Sequence, residues 1–211
     1  MSEVTRLFDS RDGKTYKTVK IGNQIWMAEN LDYAGNGGVY YNDASSPPFP
    51  KAGRLYTWQQ AMEAAEPLKS LGWHLPSKEE WQKLIDFANK GNRAGKRLKS
   101  DVRADWKVEG VGHIGTDDFR FKALPGGYHD SKDFCEVGNH GCWWSSTETA
   151  AGDCGWWMCN KTNTDTRYCC EKNSTKEVFC AYYCYMVSNS DIFNWHPEYK
   201  VCLFSVRCVR D

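Results

Sequence analysis

The chain lacks an excess of either charge: 27 Lys and Arg stand against 27 Asp and Glu in 211 residues. With no global basic field to gather phosphates and no local basic patch, nucleic acid is not an expected partner. Long apolar runs are missing too. No stretch of about 18 apolar residues exists to cross a bilayer as a helix. Residues 1–17 alternate charged and short apolar residues where a signal peptide would carry its hydrophobic segment. Membrane insertion and signal-peptide export are therefore not expected, and the product reads as soluble. Cysteine is absent before Cys135, and all ten cysteines follow from there. A chain of this length buries enough surface to fold without covalent staples, which excludes a disulfide miniprotein. No HExxH, phosphate-binding loop or Ser/His/Asp order is present, so those chemistries have no footing. No internal repeat or low-complexity segment breaks the chain, which reads as one α+β domain over residues 1–211.

Aromatic residues are abundant: ten Trp, eleven Tyr and nine Phe. That exceeds what a core of this size needs, so some are expected to face solvent or a ligand. Around the Asp12-Gly13 turn, Lys14–Ile21 alternates polar and apolar residues, and Gln24–Met27 continues the pattern after Gly22-Asn23, which predicts a hairpin. Thr57 and Gln60 have capping-box spacing. Trp58, Ala61, Met62 and Ala65 then follow at helical intervals until Pro67 stops the helix. Ser77 and Glu80 repeat the device ahead of Trp81, Leu84, Ile85 and Ala88, a stripe at i, i+3, i+4 and i+7 that ends near Gly91. Tyr33–Gly53 reads as a loop, and Gly91–Gly115 shows little periodicity. Short apolar runs between turn residues predict strands at Phe119–Leu124, around Trp143-Trp144, at Ala181–Val187 and at Leu203–Val209. In the last of these, Phe204, Val206 and Cys208 share one side, and Leu203, Ser205, Arg207 and Val209 the other. Ser188–Lys200, between the final two strands, reads as a long loop.

Several phrases in this order carry a resemblance. They are Asp9–Ile21, Trp26–Leu31, Gly53–Trp58, Gly72–Pro76 with Glu80-Trp81, Ala123–Tyr128, Trp144–Thr147 and Phe204–Asp211. Together they make the chain similar to the Fibrobacter succinogenes major paralogous domain over nearly its whole length. The resemblance implies a C-type lectin-like fold of the formylglycine-generating-enzyme branch: two helices, a small twisted antiparallel sheet and long structured loops. It also implies a variable protein of a diversity-generating retroelement, in which adenine-directed mutagenesis rewrites codons near the C-terminus. The polar stretch from Cys184 to Leu203 stands where such proteins vary, and residues 135–211 form a Cys-rich, diversified portion. Randomised Asn codons yield Tyr, Ser, Asp, His, Cys, Phe, Ile or Val, though Trp195 and Glu198 need another parent codon. The chain departs from the family in lacking a lipoprotein or secretion signal, which points to a virion-associated or cytoplasmic product rather than a lipid-anchored one. It departs also in a Cys-rich insert, Cys154–Cys180, whose structure the resemblance does not assign.

The implied function is non-catalytic binding of another macromolecule, a protein or glycan on a cell surface, without a cofactor or metal. The candidate ligand-binding residues are Trp156, Cys184, Tyr185, Asn189, Asp191, Phe193, Asn194, Trp195, His196, Glu198 and Tyr199. Aromatic anchors bring large contact area with few rotors to freeze, and the intervening Asn and Ser adapt. The competing structural reading has Phe193 and Trp195 plugging the loop onto the domain. In each of the pairs Trp143-Trp144 and Trp156-Trp157, strand geometry sends one ring inward and one outward, with Trp144 in the core. The cysteines read as free or partly paired thiols. Disulfides would need an oxidising compartment, and zinc lacks its C-x₂-C knuckles. A formylglycine-generating-type copper and cysteine oxidase, resting on Cys202 and Cys208, is the enzymatic alternative, and a purely structural surface domain is a third. Calcium-dependent sugar binding has only the faint His196-Pro197-Glu198 motif. The sequons at Asn160 and Asn173 matter only in a secretory route, and His74 reads as a packed scaffold residue.

Overall fold

The computed structural model describes residues 4–41, 52–107, 113–149 and 180–211. The chain is mixed α+β. Strands β1 (Val4–Asp9), β2 (Lys14–Ile21) and β3 (Gln24–Met27) form an antiparallel meander that the C-terminal strand completes. The β2–β3 hairpin turns at Gly22-Asn23 with Ile21 opposite Gln24, as the alternation predicts. β1, unread in the sequence, pairs along all of its length with β2.

Helices α1 (Trp58–Ala65) and α2 (Lys78–Ala88) begin where the capping boxes place them. Thr57 accepts from the Gln60 N–H while the Gln60 side chain accepts from Thr57, and Ser77 and Glu80 do the same. Each box satisfies two backbone donors that a helix start would otherwise leave without partners. Pro67 ends the α-helix as expected, yet the chain continues without a break as a 3₁₀ turn, Glu66–Leu71. A short helix α3 (Ala94–Leu98) occupies part of the segment with little periodicity.

Strand β4 (Tyr128–His129) pairs with β5 (Phe134–Cys135). Strands β6 (His140–Glu148), β7 (Cys180–Val187) and β8 (Phe193–Tyr199) form a three-stranded antiparallel sheet in that order. β9 (Val209–Arg210) pairs with β3. Phe119–Leu124 is not a strand. Arg120 and Lys122 adopt left-handed backbone conformations, φ 59° and 51°, which break any extended run.

The sheet β6-β7-β8 separates two apolar clusters. One contains Trp144, Phe204, Val206, Cys208 and the α1 stripe; the other contains Trp143, Met186, Phe193, Trp26, Phe121 and the α2 stripe. Trp143 and Trp144 do point to opposite faces, but both are fully buried, because β6 is covered on both sides. Their indole N–H groups donate to Asn30 Oδ1 and to the Tyr56 carbonyl, each at 2.8 Å. This corrects the expectation of one outward ring. Among the described tryptophans, Trp195 alone is exposed.

The segment Leu203–Cys208 is a spine rather than a continuous strand. Leu203 bridges His129, Phe204 bridges Tyr56, and the Ser205 carbonyl accepts from Trp144 N–H. The Val206 and Cys208 carbonyls accept from Leu31 and Met27. Each residue has a different neighbour, so no ladder forms, yet the alternation of sides survives: Phe204, Val206 and Cys208 enter one cluster and Val209 the other. Arg207 lies wholly buried among oxygens. Its guanidinium donates to Asn30 Oδ1 at 2.6 Å, to the Lys122 carbonyl at 2.9 Å and to the Phe121 carbonyl. Burial pulls its pKa down to about 9, partly offset by Asp117 and Glu29.

Candidate functional site

The candidate residues sit on the β7–β8 hairpin. The segment expected to be a loop is mostly strand: β8 pairs with β7 from Cys180↔Tyr199 to Met186↔Phe193. Among the described residues it is the edge of its sheet, which is where Pro197, lacking an N–H, is tolerated. The loop itself shrinks to the turn around Ser188–Ile192. Its polar composition hid the strand because few of its side chains need to be apolar at a half-covered edge.

Two of the candidate positions are interior and cannot meet a ligand. Phe193 is 3% exposed and packs edge-on against Trp81 at 5.7 Å and Trp143 at 6.1 Å. For this residue the plug is the correct reading. Cys184, opposite Trp143 in the middle strand, is 1% exposed, and burial pushes its thiol pKa up. Trp156 lies outside the described residues, as do Trp157, both sequons and the insert except Cys180.

Beyond Phe193 the strand outruns its cover. Asn194 is exposed, and Trp195 is 37% exposed. Trp195 shares the α2 side with Phe193. Its indole N–H donates to Gln82 Oε1 at 3.0 Å, the Lys78 ammonium lies over the ring at 3.5 Å, and Tyr182 meets it edge-on at 5.4 Å. On the opposite face stand Asn194, His196 and Glu198, across from Tyr185, Tyr183 and Ala181. His196, Glu198, Tyr185 and Tyr199 are half-buried. Glu198 accepts from the Tyr199 backbone N–H at 3.0 Å, and burial raises its carboxyl pKa to about 7, with Asp130 adding to the rise.

The hairpin tip is fastened from below. Lys99, fully buried, donates from Nζ to the Val187 carbonyl at 2.5 Å and the Ser190 carbonyl at 2.6 Å. Burial lowers its pKa to about 8 against the pull of Asp191. Asp191 accepts from His113 Nδ1 at 3.1 Å, and its carbonyl accepts from Lys96 N–H at 3.2 Å. At Gly95 a Cβ would come within 2.5 Å of the Ile192 carbonyl, so glycine lets α3 approach the tip this closely. Asp191 is therefore a tether, while Asn189 stays exposed in the turn. Lys78, Gln82 and Lys99 were not read from the sequence as site residues. Lys78 and Gln82 occupy an i, i+4 row beside the apolar stripe of α2, a signal that marks one helix edge but not what docks there.

The thiols of Cys202 and Cys208 are both buried, and burial raises each pKa, that of Cys208 to about 12. Their charged neighbours differ, Glu198 and Asp130 for Cys202 but Arg11 and Asp9 for Cys208. His74, Glu80 and Asp211 bring ligand atoms within 4.8 Å of one another. His74 and Glu80 already bond each other at 2.8 Å, and the second Glu80 oxygen accepts from Ser77 N–H. Glu80 thus serves the α2 cap, and His74, half-buried, is hydrogen-bonded to it. No helix among the described residues is long and apolar enough to cross a membrane.

Comparison with known proteins gives one result: a model of the Fibrobacter succinogenes major domain family matches residues 19–210. No curated protein and no solved structure matches the chain.

Proposed function

The chain belongs to the Fibrobacter succinogenes major domain family, and from that premise we propose that it is a non-catalytic binding protein, the variable protein of a diversity-generating retroelement. It displays its β7–β8 hairpin on a C-type lectin-like scaffold to a protein or glycan on a cell surface. The observation that carries this reading is the contrast within β8. Phe193 anchors the strand in the core, while Asn194 and Trp195 leave it and His196, Glu198 and Tyr199 are only partly covered. Side chains on a fixed backbone with little core packing can be exchanged at small cost, which is what a diversified surface requires. The Lys99 and Asp191 tethers add preorganisation, so little loop entropy is lost on binding.

The reading is tested by screening immobilised cell-surface proteins and glycans with the intact chain and with a His196→Ala/Tyr199→Ala variant of matched melting temperature. A partner retained by the first and lost by the second is expected. A partner held equally by both places binding elsewhere. Diversification is tested in the genome: a neighbouring reverse transcriptase with a template repeat differing at adenines from this gene's 3′ end is expected, and a locus without them contradicts it.

A further inference from the structure

Away from the hairpin, a groove of about 530 Å³ runs between β2, the residues that follow β3 and the loop 117–124. Four cationic side chains and three carboxylates line it, and most of these charges are already matched. Lys14 meets Asp32 at 2.7 Å, and Arg54 reaches the same carboxylate at 3.1 Å. Glu29 accepts from the Lys17 backbone N–H at 2.8 Å and faces the Lys17 ammonium at 3.8 Å. Asp117 accepts from the Lys122 backbone N–H at 2.8 Å. That leaves Arg120, exposed, and Lys122, half-buried. Neither side chain has a hydrogen bond or ion pair among the described residues.

The loop that presents them is strained and pinned. Asp117, Arg120 and Lys122 are three of the six described non-glycine residues with left-handed backbones, at φ 43°, 59° and 51°. Such conformations persist where the surroundings over-determine them, and they gather at ligand clamps. Here Arg207 does the pinning from inside, donating to the Phe121 and Lys122 carbonyls. Phe121 is itself fully buried, and the Ala123 N–H donates to the Leu98 carbonyl at 2.9 Å.

We infer that this groove is a binding site for a small organic monocarboxylate, its carboxylate held by Arg120 and Lys122 and its carbon body lying along Val4, Ala28 and Leu124. This goes beyond the proposed function, and the lining shares no residue with the β7–β8 hairpin. The guanidinium fork matches the two oxygens of a carboxylate, and the ammonium adds a point charge beside it. The lining carries one cation in excess, so a single negative charge completes it. A dianion would bring a second charge against the three carboxylates already there. The apolar wall rewards an organic body and does nothing for an inorganic ion. Because the loop backbone is already fixed, little order has to be gained when the ligand arrives.

The test is titration of the intact, ¹⁵N-labelled chain in low-salt buffer, following the backbone amides of residues 117–124. The probes are two sugar acids, D-glucuronate and N-acetylneuraminate, and two plain acids, L-lactate and benzoate. At least one is expected to shift these signals saturably, with a dissociation constant on the order of 1 mM, and to bind more weakly as salt is added. Shifts from the sugar acids alone identify an acidic glycan terminus as the source, and shifts that include the plain acids identify a free metabolite; both support the carboxylate. Arg120→Gln and Lys122→Gln should each weaken binding by about tenfold, the loss of one charged hydrogen bond. Arg120→Lys keeps the charge without the fork and should lose less. Since neither side chain has a partner in the fold, the melting temperature should not move. Absence of a saturable shift with all four acids overturns the inference. So does equal binding of D-glucuronate methyl ester, tighter binding of inorganic phosphate, or shifts that survive in the Arg120→Gln/Lys122→Gln double variant. Each of these outcomes leaves the hairpin reading to its own test.

Discussion

Two neighbouring stretches near the C-terminus, Asn194–Tyr199 and Phe204–Cys208, have similar lengths and opposite constraints. In the second, every side chain is buried and each backbone group meets a different part of the molecule: Tyr56, Trp144, Leu31 and Met27 in turn. In the first, the backbone is held by one partner strand; Asn194 and Trp195 are exposed, and the other four side chains are only half-buried. The difference teaches that freedom to vary here comes from position at a sheet edge rather than from loop flexibility. Rigid backbone and replaceable side chains coexist because the ladder holds the one without enclosing the other.

Five substitutions sharpen or break this comparison. Arg207→Met should cost the most, about 3–5 kcal/mol, because the Asn30, Phe121 and Lys122 oxygens lose their donor inside the protein. Chemical denaturation checks it, and a loss below about 1 kcal/mol would deny the spine its role. Phe193→Ala should cost about 3 kcal/mol by opening a cavity between Trp81 and Trp143. Its neighbour Trp195→Ala should cost less than about 1 kcal/mol, the worth of a half-exposed ring with one cation above it. Equal losses at the two positions would contradict the division of β8.

Lys99→Met should destabilise by about 1–3 kcal/mol through two orphaned carbonyls. Amide exchange should quicken first at the hairpin tip, residues 187–192. Global unfolding without local loosening would count against a tether. The last effect concerns pH. Glu198 has a folded pKa of about 7 against an ordinary 4.5, so between those values the folded state holds a proton that the unfolded chain releases. Its contribution to stability is full below about 4.5 and lost as pH rises through about 7. Glu198→Gln should therefore leave stability unchanged at low pH. Above pH 7 it should raise stability by up to about 3 kcal/mol, read from melting curves at both ends. A flat difference would mean the carboxyl is solvated.

The helices were legible because their signals are local. Thr57/Gln60 and Ser77/Glu80 form boxes within one turn, and the stripes behind them need only helical period. Which side each residue of Phe204–Val209 faces was legible for the same reason. β8 was not, because its pairing is imposed across the turn by β7, and Asn, His, Pro and Glu give no strand signal of their own. Trp143 escaped because sequence parity separates faces but cannot tell that both are covered. At the candidate site, Trp195 and Asn194 were found from composition, whereas Phe193 and Cys184 were included by mere proximity. Lys99 was invisible, since it reaches the tip from the residue after α3, far away in sequence.

The most direct measurement compares two libraries displayed on a surface and scored for protease resistance: one randomised at Asn189, Asn194, Trp195 and His196, the other at Phe204, Val206, Arg207 and Cys208. Most members of the first should remain folded and few of the second. Equal loss of folded protein in both would contradict the account.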